Sequence, residues 1–178
     1  LKFYNLDSLP RNTHFFATMP SDKGKLLASL AAVKALRKSR PDAAINAICQ
    51  PQDEQFLKDT GLFESVSAIC EGDKPACDSP LLKIKNLYPD VLINFENNDF
   101  SELVRKSVAP LQCFAFISAG EKSKANCICR LDSRQSKLSY PEKLEIFMKY
   151  FGLEGEFDKN LLGAKSKEEF LKILKGRG

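Results

Sequence analysis

A six-residue loop, Pro20-Ser21-Asp22-Lys23-Gly24-Lys25, is the first candidate for ligand contact. It follows the apolar run 13–19 and leads into an amphipathic run that begins at Gly24. At such a strand-to-helix junction in a parallel sheet, backbone N–H groups and the helix dipole favour anions and hydroxyl-rich ligands. The same residues fit a plain helix start, in which Ser21 or Asp22 caps the first turn. Both interpretations stay open at this level.

The loop does not fit the usual nucleotide-phosphate patterns. Met19 stands five residues before Gly24, where a nucleoside triphosphatase would have a glycine. The single glycine also fails the GxGxxG pattern of dinucleotide sites. A nucleotide hydrolase that uses Gly24-Lys25 is therefore the weakest of the functions considered.

A second polar group follows the apolar run 91–95 and consists of Glu96, Asn97, Asn98 and Asp99. If both apolar runs are parallel strands, this group reaches the same sheet edge as the first loop. Carboxylates and amides offer acceptors and donors in fixed directions, which suits sugar hydroxyls. The alternative is a solvated turn in which Asp99 caps a helix and Glu102 completes a capping box.

Histidine and cysteine provide little support for metal or nucleophilic chemistry. The one histidine, His14, opens a strand-like run and has no evident acid or nucleophile partner. Cys127 and Cys129 are spaced by one residue, whereas zinc sites usually have two or more between ligands. We expect no metal site, and a disulfide stays an open alternative. The six cysteines are Cys49, Cys70, Cys77, Cys113, Cys127 and Cys129.

The elements that must position these residues alternate between strand and helix. Most of the strand-like runs are continuously apolar, which is typical of parallel strands covered on both faces. We therefore predict an α/β Rossmann-like three-layer domain with a mostly parallel sheet of about five to seven strands. The predicted strands are Thr13–Met19, Ala43–Cys49, Ser65–Cys70, Val91–Phe95 and Cys113–Ser118.

Helical periodicity is clearest after Gly24, where Leu26, Leu30, Val33 and Leu36 share one face. On this pattern Lys34, Arg37, Lys38 and Arg40 face water. Further helices are predicted near Pro51, over 80–87, from Asp99, over about 140–151 and over about 167–175, with a polar loop over about 120–137. We expect Tyr140, Phe147, Tyr150 and Phe151 to belong to the core.

Length and charge limit the function classes. With 178 residues and 43% hydrophobic content, the chain suits one domain, 1–178. The formal charge of +4 comes from scattered cations, so no nucleic acid partner is expected. The sequence shows no membrane span or signal peptide, which predicts a cytoplasmic protein. Because the chain begins with Leu, we expect it to be a piece of something longer.

Several segments resemble family 9 glycosyltransferases, the bacterial lipopolysaccharide heptosyltransferases. The family motif begins Gly-Asp-hydrophobic-Leu, and Gly24-Lys25-Leu26-Leu27 is similar to it. Further similar segments are Leu30-Ala31-Ala32-Val33, Ala35-Leu36 and Pro41-Asp42-Ala43, then the strand 88–95 and the helix 141–153. The resemblance implies one half of a GT-B enzyme, the amino-terminal half that receives the acceptor. An ADP-sugar donor would bind only in a second, donor-binding domain, so no cofactor is expected here.

Two departures from the family pattern affect the chemistry. The motif aspartate, which the resemblance implies is the general base, is Lys25 here, and the motif aspartate of the fourth strand is Asn94. A lysine ammonium is protonated at neutral pH and cannot accept the acceptor's proton. Asp22 is only a weak substitute, since it lies three residues earlier. We therefore predict no catalytic residue in this chain, which leaves a divergent or non-catalytic member.

The resulting expectation is an acceptor-side domain that binds an anionic lipid-linked saccharide and is inactive by itself. In a longer, active parent, the implied reaction is inverting transfer of a heptose-like sugar. The candidate acceptor-binding residues are Ser21, Lys23, Gly24, Lys25, Glu96 and Asn97. Lipopolysaccharide assembly implies the inner face of the inner membrane and peripheral membrane contact. The alternative is a non-catalytic Rossmann-like binding or interaction module.

Overall fold

The fold contains one six-stranded sheet in the order β3-β2-β1-β4-β5-β6, and every neighbouring pair is parallel. The computed structural model describes residues 5–70, 79–153, 155 and 157–176, so Cys77 lies outside the described residues. The predicted Rossmann-like sheet is confirmed. The strands are β1 (His14–Thr18), β2 (Ala44–Cys49), β3 (Ser65–Ala68), β4 (Val91–Asn94), β5 (Gln112–Ile117) and β6 (Cys127–Arg130).

The sixth strand was not predicted, because β6 lies inside the segment expected to be a polar loop. It pairs with β5 in a register that places Cys127 beside Phe114 and Cys129 beside Phe116. Four residues between polar stretches give too short a pattern for a periodicity signal. Pairing with β5, rather than local sequence, therefore determines this strand.

The helices cover both faces of the sheet. Besides short 3-10 turns at Pro51–Asp53 and Gln135–Lys137, the described helices are α1 (Lys23–Ser39), α2 (Glu54–Thr60), α3 (Pro80–Asn86), α4 (Asp99–Val108), α5 (Tyr140–Tyr150), α6 (Lys159–Leu162) and α7 (Lys167–Lys175). The sequence missed α6, which is only four residues long.

Two apolar clusters hold these layers together. The larger lies between the sheet and helices α1, α2, α5, α6 and α7, and includes Phe95, Phe114, Phe147 and Phe151. The rings of Phe114 and Phe151 meet edge to face at 4.7 Å. The smaller cluster lies under α3 and α4 and includes Phe100 and Val104. The strands are therefore covered on both faces, as their apolar runs indicate.

Three sequence-based expectations are wrong in detail. Arg40 is buried rather than solvated, with 5% of its surface exposed, because its guanidinium lies against Asp42 and two backbone carbonyls. Tyr150 is 62% exposed and does not belong to the core. Asn98, not Asp99, caps α4, since the Asn98 side chain accepts the Ser101 N–H and the Ser101 hydroxyl completes the capping box.

Helix α5 begins as its sequence indicates. The Ser139 side chain and Glu142 form the capping box, with the Ser139 N–H donating to Glu142 at 2.9 Å. Its first residue, Tyr140, lies over the carboxyl end of β4, where its hydroxyl meets the Phe95 carbonyl. Among the described helices, none is both long and apolar enough to cross a membrane.

Candidate functional site

The crevice of this sheet opens between the carboxyl ends of β1 and β4. These two strands are neighbours although they are not consecutive, so the connections that leave them run to opposite sides. In open parallel sheets such a switch point leaves a cleft in which ligands bind. The loop 20–22 after β1 and the residues Glu96 and Asn97 after β4 therefore meet at one edge, as the sequence predicts.

Asp22 organises the loop after β1. Its side chain accepts the Lys25 N–H at 3.0 Å and caps α1. Of the two cap candidates, Ser21 and Asp22, the structure selects Asp22. This bond occupies the carboxylate oxygen Oδ1 in helix capping and fixes the direction in which α1 leaves the sheet.

Lys25 and Glu96 join the two sides of the cleft. The Lys25 Nζ lies 2.5 Å from Glu96 Oε1, although the residues are 71 positions apart in the chain. Their side chains are 40% and 23% exposed. The second Glu96 oxygen accepts from Asn98 Nδ2 at 3.1 Å. The cleft therefore presents an ammonium and a carboxylate as a pair.

Tyr140 forms a fixed wall beside this pair. Its hydroxyl lies 2.5 Å from the Phe95 carbonyl oxygen and 2.9 Å from Ser29 Oγ, so it joins α5 to both β4 and α1. The Lys25 Nζ lies 5.8 Å from the centre of its ring. Burial raises the pKa of Tyr140 above its usual value, while the Ser29 hydrogen bond lowers it. The phenol therefore stays protonated at neutral pH and positions its neighbours.

A cavity of about 190 Å³ opens at this point. Ser118 contacts two of the charged side chains in its wall. The Ser118 N–H donates to Glu121 at 2.9 Å, and the Ser118 hydroxyl lies 3.4 Å from Lys143 Nζ. The wall thus combines two carboxylates, two ammonium groups and an aromatic floor. Its lining consists of Lys25, Glu96, Asn97, Phe116, Ser118, Glu121, Tyr140 and Lys143.

A second cavity of about 440 Å³ adjoins the first and shares Asn97 with it. The Asn97 side-chain amide donates to the Lys122 carbonyl at 3.0 Å, which ties the loop after β5 to the loop after β4. Three lysines and two acids line this space. The lining comprises Asn97, Asn98, Asp99, Glu102, Lys106, Lys122, Ser123 and Lys124.

The structure brings together three of the candidate acceptor-binding residues, Lys25, Glu96 and Asn97. The other three, Ser21, Lys23 and Gly24, are exposed on the loop and first turn beside the cleft, outside the lining of both cavities. Sequence reasoning missed Tyr140, Lys143 and Lys122. For Lys122 the only signal was the polar composition of 120–137, since long loops often carry function.

The side chains of Asn94 and His14 line neither cavity of this cleft. The Asn94 amide contacts the Cys113 sulfur at 3.5 Å, in the cluster under α3 and α4. His14 is exposed at the start of β1, at the opposite edge of the sheet. Within the described ranges, no group of three His, Cys, Asp or Glu side chains is placed to hold a metal ion.

Solved glycosyltransferases share this arrangement of strands and helices. A glycosyltransferase family 9 structure from Veillonella parvula superposes with a TM-score of 0.61 at 11% identity, over 83% of this chain and 44% of that one. The chain has the fold of about half a family 9 glycosyltransferase. The E. coli heptosyltransferase WaaC with ADP matches with a TM-score of 0.60 at 12% identity, over 93% of this chain and 54% of that enzyme.

E. coli ADP-heptose lipopolysaccharide heptosyltransferase II is a third similar structure. Its TM-score is 0.59 at 15% identity, over 88% of this chain and 43% of that enzyme. The chain thus spans about half the length of these enzymes, and the likeness is one of fold. No protein-family model and no curated protein sequence matches the chain.

Proposed function

We propose that this chain is the acceptor-side half of a heptosyltransferase-like family 9 glycosyltransferase and binds an anionic, lipid-linked saccharide of the lipopolysaccharide core. The observation that carries the proposal is the Lys25–Glu96 pair, which spans the β1/β4 switch point at 2.5 Å. It stands in a fold that family 9 glycosyltransferases share. A cytoplasmic location at the inner face of the inner membrane belongs to the same proposal.

The chemistry of the two cavities suits a ligand with hydroxyl and acidic groups. Lys25 has three N–H donors and Glu96 occupies one of them, so a ligand carboxylate or phosphate can take another. The side chains of Lys143 and Lys122 add cations at the cavity walls. Glu96 and Glu121 offer acceptors for sugar hydroxyls.

The charge of Lys25 also bears on whether this chain alone can catalyse sugar transfer. A protonated ammonium at the position of the expected general base cannot take a proton from an attacking hydroxyl. We therefore propose binding without turnover by this chain. In a longer parent, a second Rossmann-like half would hold an ADP-heptose-type donor for inverting transfer.

The alternative function is a non-catalytic Rossmann-like binding or interaction module. The presence of Lys25 at the expected base position favours it as much as it favours a divergent enzyme. The two functions differ in their ligand, since only an acceptor-side domain should bind lipopolysaccharide core saccharides saturably. Fold alone does not separate them.

Calorimetric titration of the 178-residue chain with a deacylated, phosphorylated core oligosaccharide tests the proposal. We expect saturable binding that Lys25→Met weakens about tenfold, because one charge-assisted hydrogen bond is lost. Methionine keeps most of the apolar stem and removes the ammonium group together with its N–H donors.

Lys38→Met is the matched control. Lys38 is an exposed lysine in the last turn of the same helix, at the opposite sheet edge. The Lys38→Met variant should bind the oligosaccharide with the same affinity as the parent chain. Absence of saturable binding in the parent chain would favour the interaction module, and equal loss in both variants would show nonspecific charge attraction.

A further inference from the structure

A groove of about 360 Å³ opens beside the edge strand β3, on the face of the sheet that carries α3 and α4. Its apolar walls include Phe16 of β1 and both Ile84 and Leu87 at the end of α3. Ser65 and Ser67 of β3 line it as well. It shares no lining residue with the two cavities of the proposed saccharide cleft. We call this space the β3/α3 groove.

The groove combines apolar walls with a hydroxyl that is free to bond. The Ser65 hydroxyl donates to Asn46 Oδ1 at 2.7 Å, whereas the Ser67 hydroxyl has no hydrogen-bond partner among the described residues. A tyrosine side chain matches such a space, because its ring needs apolar contact and its hydroxyl needs a hydrogen-bond partner when buried.

An exposed tyrosine stands at the amino end of this groove. Tyr88 follows the lining residue Leu87, and the two are 85% and 60% exposed. Leu111, which is 74% exposed, adjoins them, because its N–H donates to the Pro89 carbonyl at 3.4 Å. Large apolar side chains that gather on one side of a domain mark an interaction surface.

Tyr88 adopts a backbone conformation that is unfavourable for an aromatic residue. Its φ is +51°, in the left-handed region. Its N–H donates to the Lys85 carbonyl at 3.0 Å, so this residue ends α3. Neither burial nor helix termination requires a tyrosine here, since asparagine or glycine fits this backbone better.

The chain therefore carries both an exposed tyrosine and an open groove that suits one. Tyr88 does not enter the groove of its own chain, because most of its surface is exposed. A second copy turned about a two-fold axis can bring each tyrosine to the groove of the other copy. Two-fold contacts of this kind pair two different surface elements twice.

Charged side chains around the groove and the tyrosine include both signs. A surface of mixed charge does not repel its own copy, and a two-fold contact can place cations of one chain against carboxylates of the other. This self-complementarity favours a second copy over a partner with charges of one sign. The groups are Lys83 and Lys85 on α3, Glu64 before β3, Asp90 before β4 and the Glu54–Lys58 ion pair on α2.

We propose that the chain forms a two-fold dimer in which Tyr88 of each copy enters the β3/α3 groove of the other. The ring packs against Phe16, Ile84 and Leu87 of the second copy, and the phenol hydroxyl reaches its Ser67. A buried tyrosine removes about 200 Å² of its own surface from water. Two tyrosines, the groove walls that they cover and the adjoining leucines reach the order of 1,200 Å², the size of a small specific interface.

The dimer contact is independent of the proposed saccharide cleft. The cleft opens at the carboxyl ends of β1 and β4, whereas Tyr88 lies before the start of β4. Dimerisation therefore leaves Lys25 and Glu96 open in both copies. Loss of the dimer should not change oligosaccharide binding, so a failure of either proposal leaves the other standing.

Sedimentation equilibrium of the 178-residue chain over the micromolar range tests the proposal. We expect a monomer–dimer equilibrium, and Tyr88→Asn should weaken the dimer about a hundredfold, because two central contacts are lost at about tenfold each. Asparagine suits the left-handed backbone. The variant should therefore keep the circular dichroism spectrum of the parent, which separates a lost contact from a lost fold.

Ser67→Arg tests the groove side of the same contact. Ser67 is half-buried on the edge strand, so arginine obstructs the groove from its rim. Alone, this variant should dimerise as weakly as Tyr88→Asn. In an equal mixture, the Tyr88→Asn chain offers an open groove and the Ser67→Arg chain offers its tyrosine. The mixed dimer keeps one of the two contacts and should be about tenfold tighter than either variant by itself.

Tyr150→Gln is the matched control. Tyr150 is 62% exposed at the end of α5, which packs on the other face of the sheet. This variant should dimerise with the affinity of the parent chain. A parent chain that stays monomeric over the whole range would overturn the proposal. So would dimers that Tyr88→Asn leaves intact, equal losses in Tyr88→Asn and Tyr150→Gln, or a mixture no tighter than its separate components.

Discussion

Arg40 connects three parts of the chain through one buried guanidinium. Its Nε and Nη2 atoms donate to the two Asp42 oxygens at 3.0 and 2.9 Å. Its other donors reach the Leu6 carbonyl at 3.1 Å and the Pro10 carbonyl at 2.8 Å. The helical periodicity of α1 predicted that Arg40 faces water. The spacing of residues within a helix carries no information about contacts with residues 6 and 10. Its burial depends on a contact outside the helix.

Stability at acidic pH should depend on Asp42. The Arg40 hydrogen bonds hold the pKa of the Asp42 carboxyl well below its usual range. A depressed folded-state pKa contributes stability above the unfolded pKa of about 4, and the contribution is lost as pH falls through the folded pKa. We expect the difference in unfolding free energy between the parent and Asp42→Asn to be constant from pH 7 to 5 and to shrink below about pH 4.

Urea unfolding at pH 7, 5, 4 and 3 measures this difference. Asp59→Asn is the control, because Asp59 is an exposed carboxylate on α2. Its difference from the parent should stay small at every pH. A difference for Asp42→Asn that is as large at pH 3 as at pH 7 would contradict the assigned role.

Among the elements, α7 is attached to the body by a polar contact as well as by packing. Lys167 Nζ lies 2.7 Å from Asp53 Oδ1, and the Asp53 side chain is only 3% exposed. The same ammonium lies 5.2 Å from the centre of the Phe56 ring, which packs edge to face on Phe170. The contact joins the start of α7 to the turn before α2.

Lys167→Met should destabilise the fold by about 3 kcal/mol, because it leaves the Asp53 carboxylate buried without its cation. Lys172→Met, on the exposed face of the same helix, should change stability by less than about 0.5 kcal/mol. Denaturant unfolding monitored by circular dichroism compares the two. Equal, small effects would show that packing alone attaches α7.

The elements also show where local sequence is sufficient. The five apolar runs predicted five strands to within two residues at every end, since buried parallel strands keep continuous apolar patterns. The start of α5 at Tyr140 was also predicted, and Ser139 and Glu142 form its capping box. The cap of α4 was not, because Asn98 and Asp99 are both good capping residues and only the backbone geometry distinguishes them.

At the scale of the whole molecule, buried cysteines lie in both apolar clusters. Burial raises the pKa of Cys49, beneath α1 and α2, to about 12, and that of Cys113, beneath α3 and α4, also to about 12. Burial raises the pKa of Cys129 to about 11. Cys70 is exposed. These thiols therefore report separately on the two faces of the sheet.

We expect maleimide to label Cys70 in the native chain at pH 7.5, and to label Cys49 and Cys113 only as urea unfolds it. If the two clusters form one cooperative domain, both should become reactive at the same urea concentration. Peptide mass spectrometry after timed labelling gives the two midpoints. Labelling of Cys113 well below the midpoint of Cys49 would show that the α3/α4 layer opens by itself.

The sequence by itself determined the alternation of strands and helices, the parallel sheet and the edge at which Lys25, Glu96 and Asn97 lie. These properties follow from apolar runs and from chain direction, which are local or topological. Only the tertiary structure decided that Lys25 pairs with Glu96, that Tyr140 lines the cleft and that Arg40 is buried. The contacts of Lys25 and Tyr140, and those of Arg40 with the Leu6 and Pro10 carbonyls, join residues far apart in the chain. Their geometry depends on how the layers pack, which no local pattern encodes.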